Sequence, residues 1–212
     1  MYKKLLLAAS IIAVAALQAK ADTIEPYRSL CMINTEGGQG TGTLIAIDKD
    51  GKGLILTCRH VARAVGNKVM CRFIWAGGGT VINGEVSAVV KGTGFDTDLA
   101  LIVIDTVPPG ITVRPVAHFD AAKGPWIGAG FRDGWLRVTH PIHTAVQYSN
   151  GLIIFPSPLI QGMSGGALFD KHGNVVAVLV ASDLTTTGIA SDGENLHRMI
   201  REFLAQKSVL VK

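Results

Sequence analysis

Three short stretches of this sequence hold residues able to do chemistry together: Gly162-Met163-Ser164-Gly165-Gly166, Thr57-Cys58-Arg59-His60-Val61-Ala62 and Asp96-Thr97-Asp98-Leu99-Ala100-Leu101-Ile102. Cleavage of an unactivated amide needs a nucleophile, a base for its proton, a group that fixes the base, and donors aimed at the developing oxyanion. A serine among three glycines meets the first and last needs, because a backbone without Cβ atoms can turn sharply and leave N–H groups pointing at one spot. A histidine just past an apolar run, Leu54 to Thr57, is a base mounted on a rigid strand end. Asp98 abuts an apolar strand, where a carboxylate is costly to desolvate unless an imidazole N–H compensates it.

These residues need a scaffold, and the pattern around them is that of an all-β chain. Its 25 glycines separate short β-branched runs, as in sandwiches and barrels. Strands are expected at Leu30 to Ile33, Thr43 to Ile47, Leu54 to Thr57, Val69 to Trp75, Val86 to Val90, Leu99 to Ile104, Trp126 to Phe131, Leu136 to Thr139, Gly151 to Phe155 and Val175 to Ala181. Asp48-Lys49-Asp50-Gly51 and the stretch from Asp170 to Asn174 are expected hairpin turns. Asp105 to Pro115, with Pro108-Pro109-Gly110, is a linker between two strand-rich halves. The period then changes: Leu196, Met199, Ile200, Phe203 and Leu204 share one helical face behind Ser191 and Glu194, which stand in capping-box register.

The N-terminus carries Lys3 and Lys4, an apolar run from Leu5 to Leu17, and Ala19-Lys20-Ala21. This is the pattern of a cleaved signal peptide over residues 1–21, so an exported chain beginning at Asp22 is expected, periplasmic or secreted. No later segment is apolar enough to span a bilayer, so no stable membrane insertion is expected after cleavage. That leader holds three of the 20 Lys and Arg and none of the 16 acids, which leaves 17 basic against 16 acidic residues. Such balance gives no phosphate-binding stripe and no nucleic-acid partner. Cys31, Cys58 and Cys71 match no zinc spacing, and in an oxidising compartment they permit one bridge in any of three pairings.

The three stretches resemble, in order, the motifs of the trypsin-like (chymotrypsin-fold) serine peptidases, especially the bacterial HtrA-type and glutamyl-endopeptidase-like branches. Gly40-Thr41-Gly42-Thr43-Leu44-Ile45 is similar to the G-S-G strand of that family, Thr57 to Val61 to its T-A-x-H-V, Asp98-Leu99-Ala100 to its D-L-A, and Gly162 to Gly166 to its G-N/D-S-G-G. The likeness spans nearly all of Gly40 to Phe203. It implies two six-stranded antiparallel barrels, about 22–107 and 112–190, followed by a helix at about 192–207. It also implies a triad of His60, Asp98 and Ser164, an oxyanion hole from the N–H groups of Gly162 and Ser164, and polypeptide substrates. Val180, Ala181 and Ser182 would form the wall along which substrate adds a strand, with Pro158 to Gln161 bordering the specificity pocket. Asp96 is the lesser candidate, since Asp98 directly precedes Leu-Ala. By the same likeness Cys31 lies near Cys71 and Cys58 is the free thiol.

Two departures from the family bear on activation. Met163 stands where digestive members carry an aspartate that receives a freed N-terminus, and a start at Asp22 lacks the Ile-Val-Gly-Gly opening, so activity without a second cut is expected. Pro158 cannot supply the carboxylate of a basic-residue pocket, which leaves a preference for small or medium apolar residues. No appended peptide-binding PDZ module is expected after the domain.

Other chemistries fit less well. Gly162-x-Ser164-x-Gly166 matches the nucleophile elbow of α/β-hydrolases, but their order is Ser, acid, His, and a helix follows their serine. Gly38 to Gly42 precede a strand and lack the Lys-Ser/Thr of a nucleotide loop. His140 and His143 flank Pro141 with no third ligand close by, so neither a metal nor any other cofactor is expected. The rival of another class is a trypsin-like domain that binds peptides without cutting them, its oxyanion turn distorted at Met163.

Overall fold

The computed structural model describes residues 25–75, 79–192 and 194–209. The signal-peptide expectation for residues 1–21 falls outside the described residues. A 3₁₀ turn, Glu25–Ser29, leads into six strands: β1 (Leu30–Thr35), β2 (Gly38–Ile47), β3 (Gly53–Thr57), β4 (Lys68–Phe73), β5 (Thr80–Val89) and β6 (Ala100–Ile104). They close in the order β1-β2-β3-β6-β5-β4, each pair antiparallel. Closure leaves no unpaired edge and turns alternate side chains inward, which is plain in β4, where Val69, Cys71 and Phe73 are buried between exposed Lys68, Met70 and Arg72. Asp48 makes the β2–β3 turn by accepting the Asp50 and Lys52 N–H groups on its own carboxylate.

The second half holds β7 (Ile127–Arg132), β8 (Trp135–Val138), β9 (Val146–Gln147), β10 (Leu152–Phe155), β11 (Ala167–Phe169), β12 (Val175–Ser182) and β13 (Gly188–Ser191). Here the expected second barrel is corrected. These strands form an open seven-stranded sheet in the order β8-β7-β11-β12-β13-β10-β9. The two edge strands are four and two residues long, too short to make the last ladder. Closure in the first half succeeds because β1 and β4 pair over three registers.

The linker around residues 105–115 contains neither helix nor strand. β3 is buried along its whole length, and the terminal helix packs against β5. That helix, α2 (Glu194–Val209), follows the one-turn α1 (Arg59–Ala62) in chain order. Its Leu196 and Met199 are buried in the first-half core, with Ile200 and Phe203 packed alongside. The capping box does not form: the buried Ser191 hydroxyl has no hydrogen-bond partner, and Glu194 reaches Arg201 instead. No described helix is long and apolar enough to cross a membrane.

Candidate active site

The apolar β3 ends at Thr57, and Cys58, in extended conformation, starts the single turn α1 that carries His60. Asp98 closes a short 3₁₀ turn, Phe95–Thr97, immediately before β6. Since β3 and β6 are neighbours, with Thr57 opposite Ala100, adjacent strand ends bring the two groups together. The Asp98 carbonyl accepts the Arg59 N–H at 3.2 Å, tying the turns to each other. One Asp98 carboxylate oxygen accepts the His60 backbone N–H at 2.8 Å, and the other takes Nδ1–H of the ring at 2.5 Å. The acid is buried and the ring is half exposed, so the imidazole is gripped at Nδ1 while part of the ring stays open to solvent.

Burial pushes the Asp98 carboxyl up, but the hydrogen bonds from the His60 ring and backbone, the His60 charge and the Arg59 guanidinium together hold it below its ordinary value. Asp98 is therefore ionised over the whole neutral range. Asp96 lies apart from the histidine, with its carboxylate and carbonyl facing the Asn195 amide.

Ser164 comes from the second half, on the turn before β11. Gly162 at φ +96° and Gly165 at φ +83° adopt the left-handed conformation that glycine takes without penalty. Three contacts lay this turn and the neighbouring β12 against β2 and the His60 segment. The Ser164 carbonyl accepts the Thr41 N–H at 2.8 Å, the Gly165 α-carbon faces Thr57 and the Cys58 N–H, and the Cys58 thiol donates to the Leu179 carbonyl at 3.2 Å. Among the described residues neither the Gly162 nor the Ser164 N–H has an acceptor, whereas the intervening Met163 N–H is spent on the Ile160 carbonyl. The Ser164 hydroxyl donates to the Val180 carbonyl at 3.2 Å. That carbonyl is free because Val180 is the extra residue of a β-bulge: Leu179 pairs with Ala190 and Ala181 with Ile189.

β11 pairs with β12 only as far as Val178. Past Leu179, whose carbonyl takes the Gly165 N–H, one side of Val180, Ala181 and Ser182 has no strand beside it. Ser182 bridges this edge to the adjoining loop by accepting the Leu159 N–H at 3.0 Å. Pro158 and Gln161 are exposed on that loop. Opposite, Gly188 makes room for the Phe155 ring, which a Cβ there would meet at 2.2 Å.

Thr41 is a residue the sequence reading did not single out. Its buried hydroxyl donates to the Gly162 carbonyl at 2.8 Å and accepts the Phe131 N–H at 2.7 Å, while its own carbonyl accepts the Thr57 hydroxyl at 2.7 Å. One side chain of the first half thus positions the peptide that follows Gly162. Only the glycines flanking Thr41 on an inward-facing strand hinted at so close an approach. Thr41→Val, nearly isosteric, leaves a buried donor and acceptor unpaired at a cost of about 1–3 kcal/mol. Turnover is expected to fall on the order of 10²-fold through misplaced donors, with Thr41→Ser recovering most of it in steady-state assays.

Met163 is buried with Trp126, Phe155 and Leu168 in the second-half core. All three cysteines are free thiols. Cys31 and Cys71 are in hydrogen-bond contact inside the barrel, and burial, then Cys71, pushes the Cys31 thiol well up. Burial, and next the Asp98 charge, does the same to Cys58, so neither is a ready nucleophile.

Residues 40–178 match the trypsin-like peptidase domain. The chain belongs to this family. No curated protein sequence matches it. Among solved structures, this trypsin-like peptidase domain is similar to the Rv3671c protease of M. tuberculosis in its inactive form, at TM-score 0.60 and 21% identity over 85% of this chain and 90% of that one. A human pathogenic astrovirus serine protease gives TM-score 0.57 and 22% identity over 79% and 90%. The HtrA-type protease AlgW with a decapeptide gives 0.59 and 16% over 81% and 63%. At these identities the likeness is one of fold.

Proposed function

We propose that this trypsin-like peptidase domain is an exported serine endopeptidase that cuts polypeptides through an acyl-enzyme. The observation that supports the reading is the grip of Asp98 on both the backbone and Nδ1 of His60, which keeps Nε2 as the ring's acceptor, while the glycine after Ser164 lies against Thr57 and Cys58. Rotation of the serine about χ1 moves its hydroxyl from the Val180 carbonyl to Nε2. His60 takes the proton as Ser164 Oγ attacks the peptide carbonyl, and the free N–H groups of Gly162 and Ser164 receive the oxyanion. His60 then protonates the leaving amine, and water reverses the roles to release the acid. Substrate aligns as a strand along Val180, Ala181 and Ser182, the open stretch of β12.

A fluorophosphonate probe tests this reading on protein recovered outside the cytoplasm, whose N-terminus is expected at Asp22. Wild type is expected to label and Ser164→Ala to remain blank. An unlabelled wild type favours the rival that its resting hydroxyl direction would suit, a peptide-binding domain that does not cut. No charged side chain stands among Pro158, Gln161, Ala181 and Ser182, and Phe155 fills the space beside Gly188. Peptide-library profiling is therefore expected to show cleavage after small or medium apolar residues; dominant cleavage after Lys or Arg would contradict this assignment of the pocket.

A further inference from the structure

Far along the chain from the triad, a second group of ionisable side chains converges. His118 lies just before β7 in the segment that enters the second half, Asp192 directly follows β13, and His197 sits in the first turns of α2. One ligand-capable atom from each lies within 4.8 Å of the other two. The Asp192 carboxylate is buried and has a fixed orientation: one oxygen accepts the Phe119 N–H at 2.6 Å, and the other faces His197 Nε2 at 2.7 Å. The His118 and His197 rings stack with centroids 3.7 Å apart and planes tilted by 34°. His118 is exposed, and its ring nitrogens make no hydrogen bond among the described residues, so one side of the cluster is open.

We propose that His118, Asp192 and His197 form a binding site for a divalent first-row transition metal, with zinc the ion best suited to it. Two imidazoles and one carboxylate are a borderline donor set that fits zinc and disfavours magnesium or calcium, which take oxygen ligands. A tetrahedral ion with bonds of about 2.0–2.2 Å places its ligand atoms about 3.3–3.6 Å apart. Taking up the ion opens the Asp192–His197 pair from 2.7 Å to that spacing as their hydrogen bond gives way. It also draws the exposed His118 side chain out of its ring stack onto the ion, and water completes the fourth position. Binding replaces the Nε2–H···Oδ1 hydrogen bond: the proton of neutral His197 passes to Nδ1, and the Nε2 lone pair goes to the metal. The Phe119 N–H stays on the other carboxylate oxygen and holds it in place, as outer-shell donors do in zinc sites. The ion would clasp the segment entering the second half to the helix that packs on the first.

Zinc titration of the purified chain, followed by competition with a chromogenic chelator and by thermal unfolding, tests the site. One equivalent of zinc is expected, with a rise in Tm that chelator reverses. His118→Ala, which removes no hydrogen bond, and His197→Ala are each expected to weaken binding on the order of 100-fold or more, with circular dichroism confirming the fold. His60→Ala is expected to leave zinc binding unchanged; it controls for the one other such cluster among the described residues, Cys58, His60 and Asp98. Absence of saturable binding by wild type, or binding that both His118→Ala and His197→Ala leave intact, overturns the proposal.

Discussion

Asp98→Asn is expected to lower turnover by on the order of 10⁴ while leaving the fold and the affinity for substrate nearly unchanged. The carboxylate accepts two hydrogen bonds from His60, one from the backbone and one from the ring. An amide can keep the backbone bond, but it then turns its NH₂ toward Nδ1. The ring responds by carrying its proton on Nε2, where the serine needs an acceptor. The imidazolium formed during attack also loses its compensating charge. Acid unfolding gives a second readout on the same variant. The folded value of Asp98 is depressed, so its contribution to stability is fully present above its unfolded value of about 3.9. It is lost as pH falls through the lower folded value. Wild type should therefore lose more stability below about pH 4 than Asp98→Asn does, which chemical denaturation at stepped pH will show. Near-normal turnover in the variant would take the orienting role away from Asp98.

The second large effect is structural. A Cβ on Gly165 would fall 2.1 Å from the Thr41 carbonyl oxygen and 2.2 Å from the Thr57 hydroxyl, the two atoms of one buried hydrogen bond. Its φ of +83° adds the left-handed penalty of about 1–2 kcal/mol, and the broken bond adds about 1–3 kcal/mol. Gly165→Ala should therefore cost about 3 kcal/mol or more, a fall in Tm of about 6–12 °C for a chain of this size. It should also carry the Ser164 turn away from the first half. Gly134 is the matched control, since it has a φ of +85° and nothing within 4 Å of an added Cβ. Gly134→Ala should show the backbone penalty alone, and equal losses in the two variants would mean that the contact at Gly165 is soft.

The contrast between these two glycines shows what could and could not be read from sequence. Both are turn glycines in the sequence, and only the approach of another chain segment separates them. The pairing of His60 with Asp98 was legible because each sits beside a short apolar strand, so local pattern and chemistry coincide, and the tight turn at Ser164 was legible from its three glycines. The barrel strands were legible for the same reason, although β2 was read too short across its glycines at 38, 40 and 42 and β5 too short where Thr80 to Glu85 alternate with exposed residues. What failed depended on groups distant in sequence. Closure of the second sheet turns on two short edge strands meeting, and the capping box at Ser191 on a competing partner for Glu194. The hydroxyl of Thr41 joins residues 121 and 90 positions away. His118, Asp192 and His197 likewise show no spacing signature.

The bonds from Thr41 also bear on timing. The six strands of the first barrel lie within residues 30–104, so a chain made only that far holds His60 and Asp98, but the Gly162 to Ser164 turn takes its place only when it docks on β2. For the endopeptidase proposed above, the receptor for the oxyanion would thus be assembled last, across the seam between the two halves, and a polypeptide still lacking its second half could cut neither itself nor its neighbours.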